Sequence, residues 1–577
     1  MWLLMTAHYN RKFRAAARGR RRGPAPRARW HNRPAMRTAP TASLPDPSPG
    51  ATSWWRDAAA LLLCLAAAGA VSLRWGQDAN WDLQNYHFYN PWALLTGRLD
   101  RDIAAAQLQT YLNPLADVPF YLMVAADWPP RLIAVALALP AGAGAWLLLK
   151  CLLILFRDLA GVPRTLSVAL AFAIGVTATN AVAMTGITMN EWPGAALTMA
   201  ALWLLLRGTA RRALSPATLL AAGLAAGLAA GLKLTAATFA VGLAAALLLR
   251  RPIGRRGLVD AAWFGGGVLG GVALGGGYWM WMLYTRFDNP VFPYFNTVFQ
   301  SPWWVVAPVP QWYGPKTPLD WITFPLRLFA ATEGLVGEIR FRDWRLPVLY
   351  LLALALGGRW LVRAWHAGRG APHAPDLPAD VAATWQFVGI FWGASFAVWY
   401  ALHSIYRYLI PLELLTGALT LVALRLLVPV RALPWTAVAV TLLVTVSARY
   451  PDWWHVPFGA RWFDVRVPQV APNALVLMVS DAPMAYVLPY LPADARFVGV
   501  DNNVSSPRDR TRMQSAIATL LEQHRGPAYS LAFPAGAGSA SLAAYGLRRV
   551  PHECADVRTN MRYSPLELCR LQRRPPD

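Results

Sequence analysis

From about Arg56 to Val446 the chain alternates long apolar runs with short, mostly basic ones. Several runs exceed the roughly 18 residues that mark a membrane-crossing helix. The expected spans run from Arg56 to Leu73, up to Phe156, Thr165 to Met184, Trp192 to Leu206, twice within Ser215 to Leu249, up to Tyr284, Leu346 to Val362, Ala382 to Ala401, Leu409 to Val428 and Trp435 to Val446. Ser215 to Leu249 is too long for one crossing, and Lys233 divides it. We read it as two helices joined by the turn Gly231-Leu-Lys233-Leu-Thr235. Gly223, Gly227 and Gly231 recur every fourth residue, a small-residue face that lets helices approach closely.

Two stretches interrupt this rhythm, polar and aromatic segments at 74–131 and 286–345. Beyond Tyr450 the apolar runs shorten to strand length at Ala474–Val479, Arg496–Val500 and Ala528–Phe533, with a helical pattern over Arg510–His524. The expected fold is an all-α polytopic membrane protein of about eleven transmembrane helices, followed by a small C-terminal α/β domain. Its parts are a disordered basic tail at 1–50, a membrane domain at 51–449 and a soluble domain at 450–577.

Composition agrees, since only 15% of residues are charged against the quarter or so usual in soluble proteins. The net charge of +24 raises the question of nucleic acid, but its distribution excludes that partner. The first fifty residues hold eleven Lys or Arg and one acid, Asp46. Most other basic residues lie in short loops, where the positive-inside rule orients the helices. Both N-terminus and basic loops are then cytoplasmic, and segments 74–131 and 286–345 and the C-terminal domain are extracytoplasmic. Cys554 and Cys569, placed outside, are a disulfide candidate.

Walker, zinc-hydrolase and serine-elbow motifs are missing, which argues against a nucleotide-driven pump or a zinc hydrolase. The chemistry instead gathers at loops on the outer face. Asp78-Ala-Asn-Trp-Asp82-Leu-Gln-Asn-Tyr-His87 follows the first span, and Glu191 is the only acid expected outside between the second and seventh spans. Asp78, Asp82 and Glu191 are therefore candidates for general-base work, with His87 beside them. Asp100 and Asp102 read as ordinary loop acids. Lys233 is one of four lysines in the chain, and a compact cation at an outer helix turn suits a lipid phosphate. His403-Ser-Ile-Tyr406-Arg407-Tyr408 opens the tenth span. There Arg407 offers fork-shaped hydrogen bonding to phosphate, and Glu413 inside the span is its expected partner. Trp303, Trp304, Trp312 and Trp321 read mainly as interfacial residues.

These features together resemble the GT-C superfamily of membrane glycosyltransferases, in particular members of the glycosyltransferase family 87 or protein-mannosyltransferase kind. The likeness lies in the acid-bearing first loop continuing to Gln109-Thr-Tyr-Leu-Asn113-Pro-Leu-Ala-Asp117, in Asn190-Glu191, in Gly-Leu-Lys233-Leu-Thr and in Arg407-Tyr408 with Pro411. It covers roughly Arg56 to Arg449. The resemblance implies a multi-pass enzyme of a bacterial inner membrane that moves a hexosyl or pentosyl unit, with inversion, from a polyprenyl-phosphate donor to a hydroxyl of an envelope glycan, lipid or protein. It further implies Asp78, Asp82 and Glu191 as catalytic residues and His87, Lys233, His403, Arg407 and Tyr408 as substrate-binding ones. No cofactor is expected. The spacing Asp78-x-x-x-Asp82 departs from the adjacent or once-spaced acids common in the superfamily, which leaves open the choice of aspartate and the use of a divalent metal. A flippase for lipid-linked saccharide, or an oligosaccharide ligase or polymerase using a pyrophosphate donor, is the alternative.

Overall fold

A computed structural model of the chain describes residues 54–574, apart from 211–213, 251–252, 308–312, 329–335, 338, 369–375, 503–505 and 535. The basic tail and Trp312 lie outside the described residues. A helix stands at every stretch expected to span: α1 (Trp54–Trp75), α2 (Pro130–Leu155), α3 (Gly161–Val176), α4 (Glu191–Ala210), α5 (Pro216–Leu232), α6 (Ala237–Leu249), α7 (Arg255–Val272), α8 (Arg345–Gly368), α9 (Ala379–Leu402), α10 (Ile410–Leu427) and α11 (Leu433–Val446). Among the described residues six helices, counting α7 with its continuation to Phe287, are long and apolar enough to cross a membrane. Their outward faces carry Leu63, Leu269, Leu274 and Trp281, all exposed, an apolar surface of the kind that meets lipid. This is a multi-pass membrane protein.

The helix α10 is the central post, with an unbroken buried run from Ile410 to Ala418. Ion pairs Lys150–Asp57, Arg157–Asp380 and Arg425–Asp158, at 2.7–3.0 Å, clamp the helix ends remote from the start of α10. The helix α5 begins with Ser215 capping Thr218 N, a preferred N-cap followed by Pro at the first helical position. Its glycine face then presses on α7 backbone to backbone: a Cβ added at Gly227 would stand 2.1 Å from Val268 O. Gly227→Ala is therefore expected to push the helices apart at a cost of about 1–3 kcal/mol. Gly265→Ala, on α7 but facing open space, is its control. Thermal unfolding in detergent should separate the two, and equal melting temperatures would contradict the packing.

Outside the bundle stands a six-stranded sheet of order β4-β8-β9-β7-β5-β6. Its strands are β4 (Val465–Arg466), β5 (Leu475–Val479), β6 (Arg496–Asp501), β7 (Ala528–Ala532), β8 (Leu547–Thr559) and β9 (Leu566–Arg573). β5 runs parallel to both β6 and β7, as expected for an α/β unit, and the helix Arg512–Gln523 joins β6 to β7. The β8–β9 hairpin goes beyond the sequence reading. In it Cys554 and Cys569 face each other across the strands, 3.9 Å apart at Cα, and form the disulfide.

The polar segment 74–131 is built into this domain. Its strand β1 (Gln77–Asp78) pairs with β3 (His455–Val456). Asp102 accepts from Tyr89 Oη, from the Arg98 guanidinium and from Phe497 N at the start of β6. Arg98 in turn donates to Ala493 O and Ala495 O. Asp100 makes only a surface pair with Arg286. Asp100 thus matches its reading as an ordinary loop acid, whereas Asp102 departs from it as a buried tie between segment 74–131 and the sheet. Trp303 packs edge-on against Phe287 beneath the Arg512 guanidinium, while Trp321 is half exposed against Tyr400.

Candidate active site

The start of α10, the start of α4, the α5–α6 turn and segment 74–131 meet at one end of the bundle. After α1 the chain leaves through β1 and winds Leu83–His87 into a single π-helical turn. Such turns are rare, and bonding from residue i to i+5 sets residues five apart one turn from each other. Asp82 and His87 thereby share a side, whereas α-helical winding would turn them about 140° apart.

Asp82 is nearly buried and accepts a 2.7 Å hydrogen bond from Arg407 Nη1. Burial raises its pKa, but Arg407, His87 and Lys233 together outweigh that and hold the carboxyl below its ordinary range. Arg407 also reaches Met189 Sδ at 3.2 Å, lies 3.9 Å from Glu191 Oε1, and sits over the rings of Tyr408 and Trp453. Burial and the Asp82 charge push the Tyr86 and Tyr294 hydroxyls up, so both stay protonated beside this pair.

Lys233 ends α5 in extended backbone. Its Nζ bonds Glu191 Oε1 and Met189 O, both at 2.5 Å, and lies over the Tyr408 ring, 5.4 Å from its centroid. Glu191 Oε2 is buried with no partner among the described residues. A cleft opens here, lined by Asn190, Glu191, Lys233, Phe239, Tyr408 and Pro411. Asn113 of segment 74–131 ties the end of α5 to the continuation of α7, donating to Gly231 O and Gly275 O at 2.8 and 2.7 Å.

Asp82, Glu191, Lys233, Arg407 and Tyr408 therefore form one connected cluster. Asp78 is bonded elsewhere. It is fully buried, and its carboxylate receives Asn80 N, Asn80 Nδ2, Thr188 N and Thr188 Oγ1 at 2.8–3.0 Å, bracing the first loop against the second. His403 stands behind the cluster, edge-on to Tyr408, and burial lowers its pKa. Arg407 does not pair with Glu413. That carboxylate accepts from Asn180 N and Ala181 N at 3.4 and 3.2 Å, because the first turn of the short helix Thr179–Ala183 presents unpaired N–H groups to it.

Asp117 and Asn190, which sequence reasoning left without a role, lie against His87. Asp117 and His87 are both buried, with His87 Nδ1 2.8 Å from Asp117 Oδ1, and Asn190 Nδ2 donates to the same oxygen at 2.5 Å. Asn190 holds a left-handed backbone, φ +64°, which asparagine tolerates better than most residues. Its place directly before Glu191 was the available signal. Ligand-type atoms of three His, Cys, Asp or Glu residues come together among the described residues only at Cys554, Glu567 and Cys569, whose sulfurs are joined to each other.

No family model matches the chain, and no curated protein does. Among solved structures it is similar to ArnT from Cupriavidus metallidurans bound to undecaprenyl phosphate, at 14% identity and a TM-score of 0.43, over 90% of this chain and 98% of that one. It is also similar to the Archaeoglobus fulgidus oligosaccharyltransferase in the apo form, at 13% identity and a TM-score of 0.38, over 83% of this chain and 70% of that one.

Proposed function

We propose that the protein is an integral-membrane glycosyltransferase of the GT-C kind. It moves a sugar from a polyprenyl-phosphate donor to an acceptor hydroxyl on the outer face of a bacterial cytoplasmic membrane, with inversion. The observation that carries this reading is the cluster itself: two cations, Arg407 and Lys233, are held against Asp82 and Glu191, and Lys233 and Glu191 line a cleft between the starts of α4 and α10 and the α5–α6 turn. Cations kept in place by buried acids are preorganised for a phosphate that carries the developing charge of a leaving group. The donor phosphate takes Lys233 from Glu191 and shares Arg407 with Asp82. The acceptor hydroxyl loses its proton within the Asp82–His87 turn and attacks the anomeric carbon from the face opposite the departing phosphate. Tyr408 keeps the two cations in register through its ring.

Purified protein in lipid nanodiscs, given a labelled polyprenyl-phosphate sugar and envelope lipid extract, should release free polyprenyl phosphate as label enters the acceptor. Lys233→Ala should raise the donor KM by about 10- to 100-fold, the equivalent of one hydrogen bond between charged groups at about 1.5–3 kcal/mol. Translocation of donor without transfer would overturn the enzyme reading in favour of a flippase.

A further inference from the structure

Resting on that glycosyltransferase reading, we infer that His87 is the group that takes the acceptor's proton and that Asp117 is its positioning residue. An ionised carboxylate only accepts hydrogen bonds, so Asp117 at 2.8 Å requires the His87 proton on Nδ1. That leaves the lone pair on Nε2, the end of the ring away from Asp117. This atom is buried and has no partner among the described residues. A buried polar atom left unpaired is costly, and here it lies on the side of the π turn that also carries Asp82.

Asp82 is placed for another task. Its Oδ2 is occupied by Arg407, and an acid held below its ordinary range by a guanidinium is a weak proton acceptor. The charged and titratable groups near His87 come from several elements. Asp82 and Tyr86 stand on its own turn, Asp117 precedes Val118, Glu191 opens α4, Lys233 ends α5, Arg407 precedes α10, and Tyr486 lies in the turn Ala485–Tyr490 packed on the π turn.

The step balances without any further reactant. The acceptor O–H bond breaks and its proton goes to Nε2, while the oxygen forms a bond to the anomeric carbon. The bond from that carbon to the phosphate oxygen breaks, and its electron pair leaves with the polyprenyl phosphate. Asp117 keeps hold of Nδ1–H throughout, and the imidazolium afterwards loses its proton to water.

The test is the pH dependence of kcat for full-length protein in nanodiscs. Wild-type transfer should fall as pH is lowered and the ring becomes protonated. His87→Gln should lose at least about 100-fold in kcat, the lower end expected for a general base, and should lose this acid limb. His87→Ala should regain rate with added imidazole. Asp117→Asn, which removes the acceptor that orients the ring through Nδ1, should lower kcat and leave the donor KM unchanged. Wild-type rate and an unchanged limb in His87→Gln would overturn the inference, as would loss of the limb in Asp82→Asn with its retention in His87→Gln. Wild-type protein that transfers no sugar would instead overturn the glycosyltransferase reading beneath it.

Discussion

Arg407→Ala is expected to abolish transfer and destabilise the protein at once, and Arg407→Ala with Asp82→Asn to restore stability alone. Removing one member of a buried ion pair strands the other, at about 3–5 kcal/mol. Here Arg407 is the 2.7 Å partner of Asp82, lies 3.9 Å from Glu191, and is roofed by Trp453 of the outer domain. Neutralising Asp82 as well removes the stranded charge, so most of the melting temperature should return. Transfer should not, because a group aimed at developing charge is worth about 10²–10³ in kcat. Arg407→Lys should not rescue it either, since an ammonium lacks the fork that spans phosphate and Asp82. The pair also sets an acid limit on stability. A carboxyl whose pKa is depressed on folding adds stability above its unfolded pKa and loses it as pH falls through the lower folded value. Wild-type protein should therefore keep this contribution through mildly acidic pH, whereas Asp82→Asn should show none of that dependence. Melting curves across pH, with transfer assays on the same preparations, check both halves. Full transfer by Arg407→Ala would remove Arg407 from the donor site.

The parts that could be read from one sequence are those whose cause is local. Membrane helices need only a long enough apolar run, so each expected span falls on a helix. The α5–α6 break was legible because Lys233 is a lone charge in an apolar stretch, and β5, β6 and β7 because they are short buried runs. The strand β8 was not. Its Arg548, Arg549, His552 and Glu553 interrupt the alternation and Pro551 argues against a strand, so pairing with β9 rather than pattern creates it. Partners at long range were beyond reach for the same reason. Arg407 was matched with Glu413, six residues away, yet it meets Asp82 across 325 residues. Asp117, which entered the sequence reading only as the end of the first-loop motif, lies buried against His87 from 30 residues away. The π turn that aligns Asp82 with His87 leaves no mark in Leu83-Gln-Asn-Tyr-His87, because it is the docking of this segment between the bundle and the outer domain that sets its winding.

That docking depends on Asp78, and Asp78→Asn should show it by failing as a fold before failing as a catalyst. The carboxylate accepts five close contacts, from Asn80 and Thr188, with no exposure to solvent. An asparagine keeps the shape but turns one acceptor oxygen into a donor, which then faces donors. Each hydrogen bond to a charged group contributes about 1.5–3 kcal/mol, so the loss of two would consume much of a margin that is typically about 5–15 kcal/mol. The damage should spread along the backbone it ties: Asp78 pairs with His455 in the β1–β3 ladder, Ala79 N donates to Trp454 O, and Gln77 Nε2 holds Trp462 O. Limited proteolysis should open the chain near 450–462 in Asp78→Asn and leave wild type intact. Asp82→Asn should behave oppositely, keeping Arg407 as a hydrogen-bond partner and staying protease-resistant while transfer falls. Rates corrected for folded fraction decide between the two aspartates. If Asp78→Asn melts like wild type and resists protease yet transfers nothing, then Asp78 takes part in the chemistry and the bracing role is wrong. If its residual transfer tracks the folded fraction, the acid that serves the reaction is Asp82.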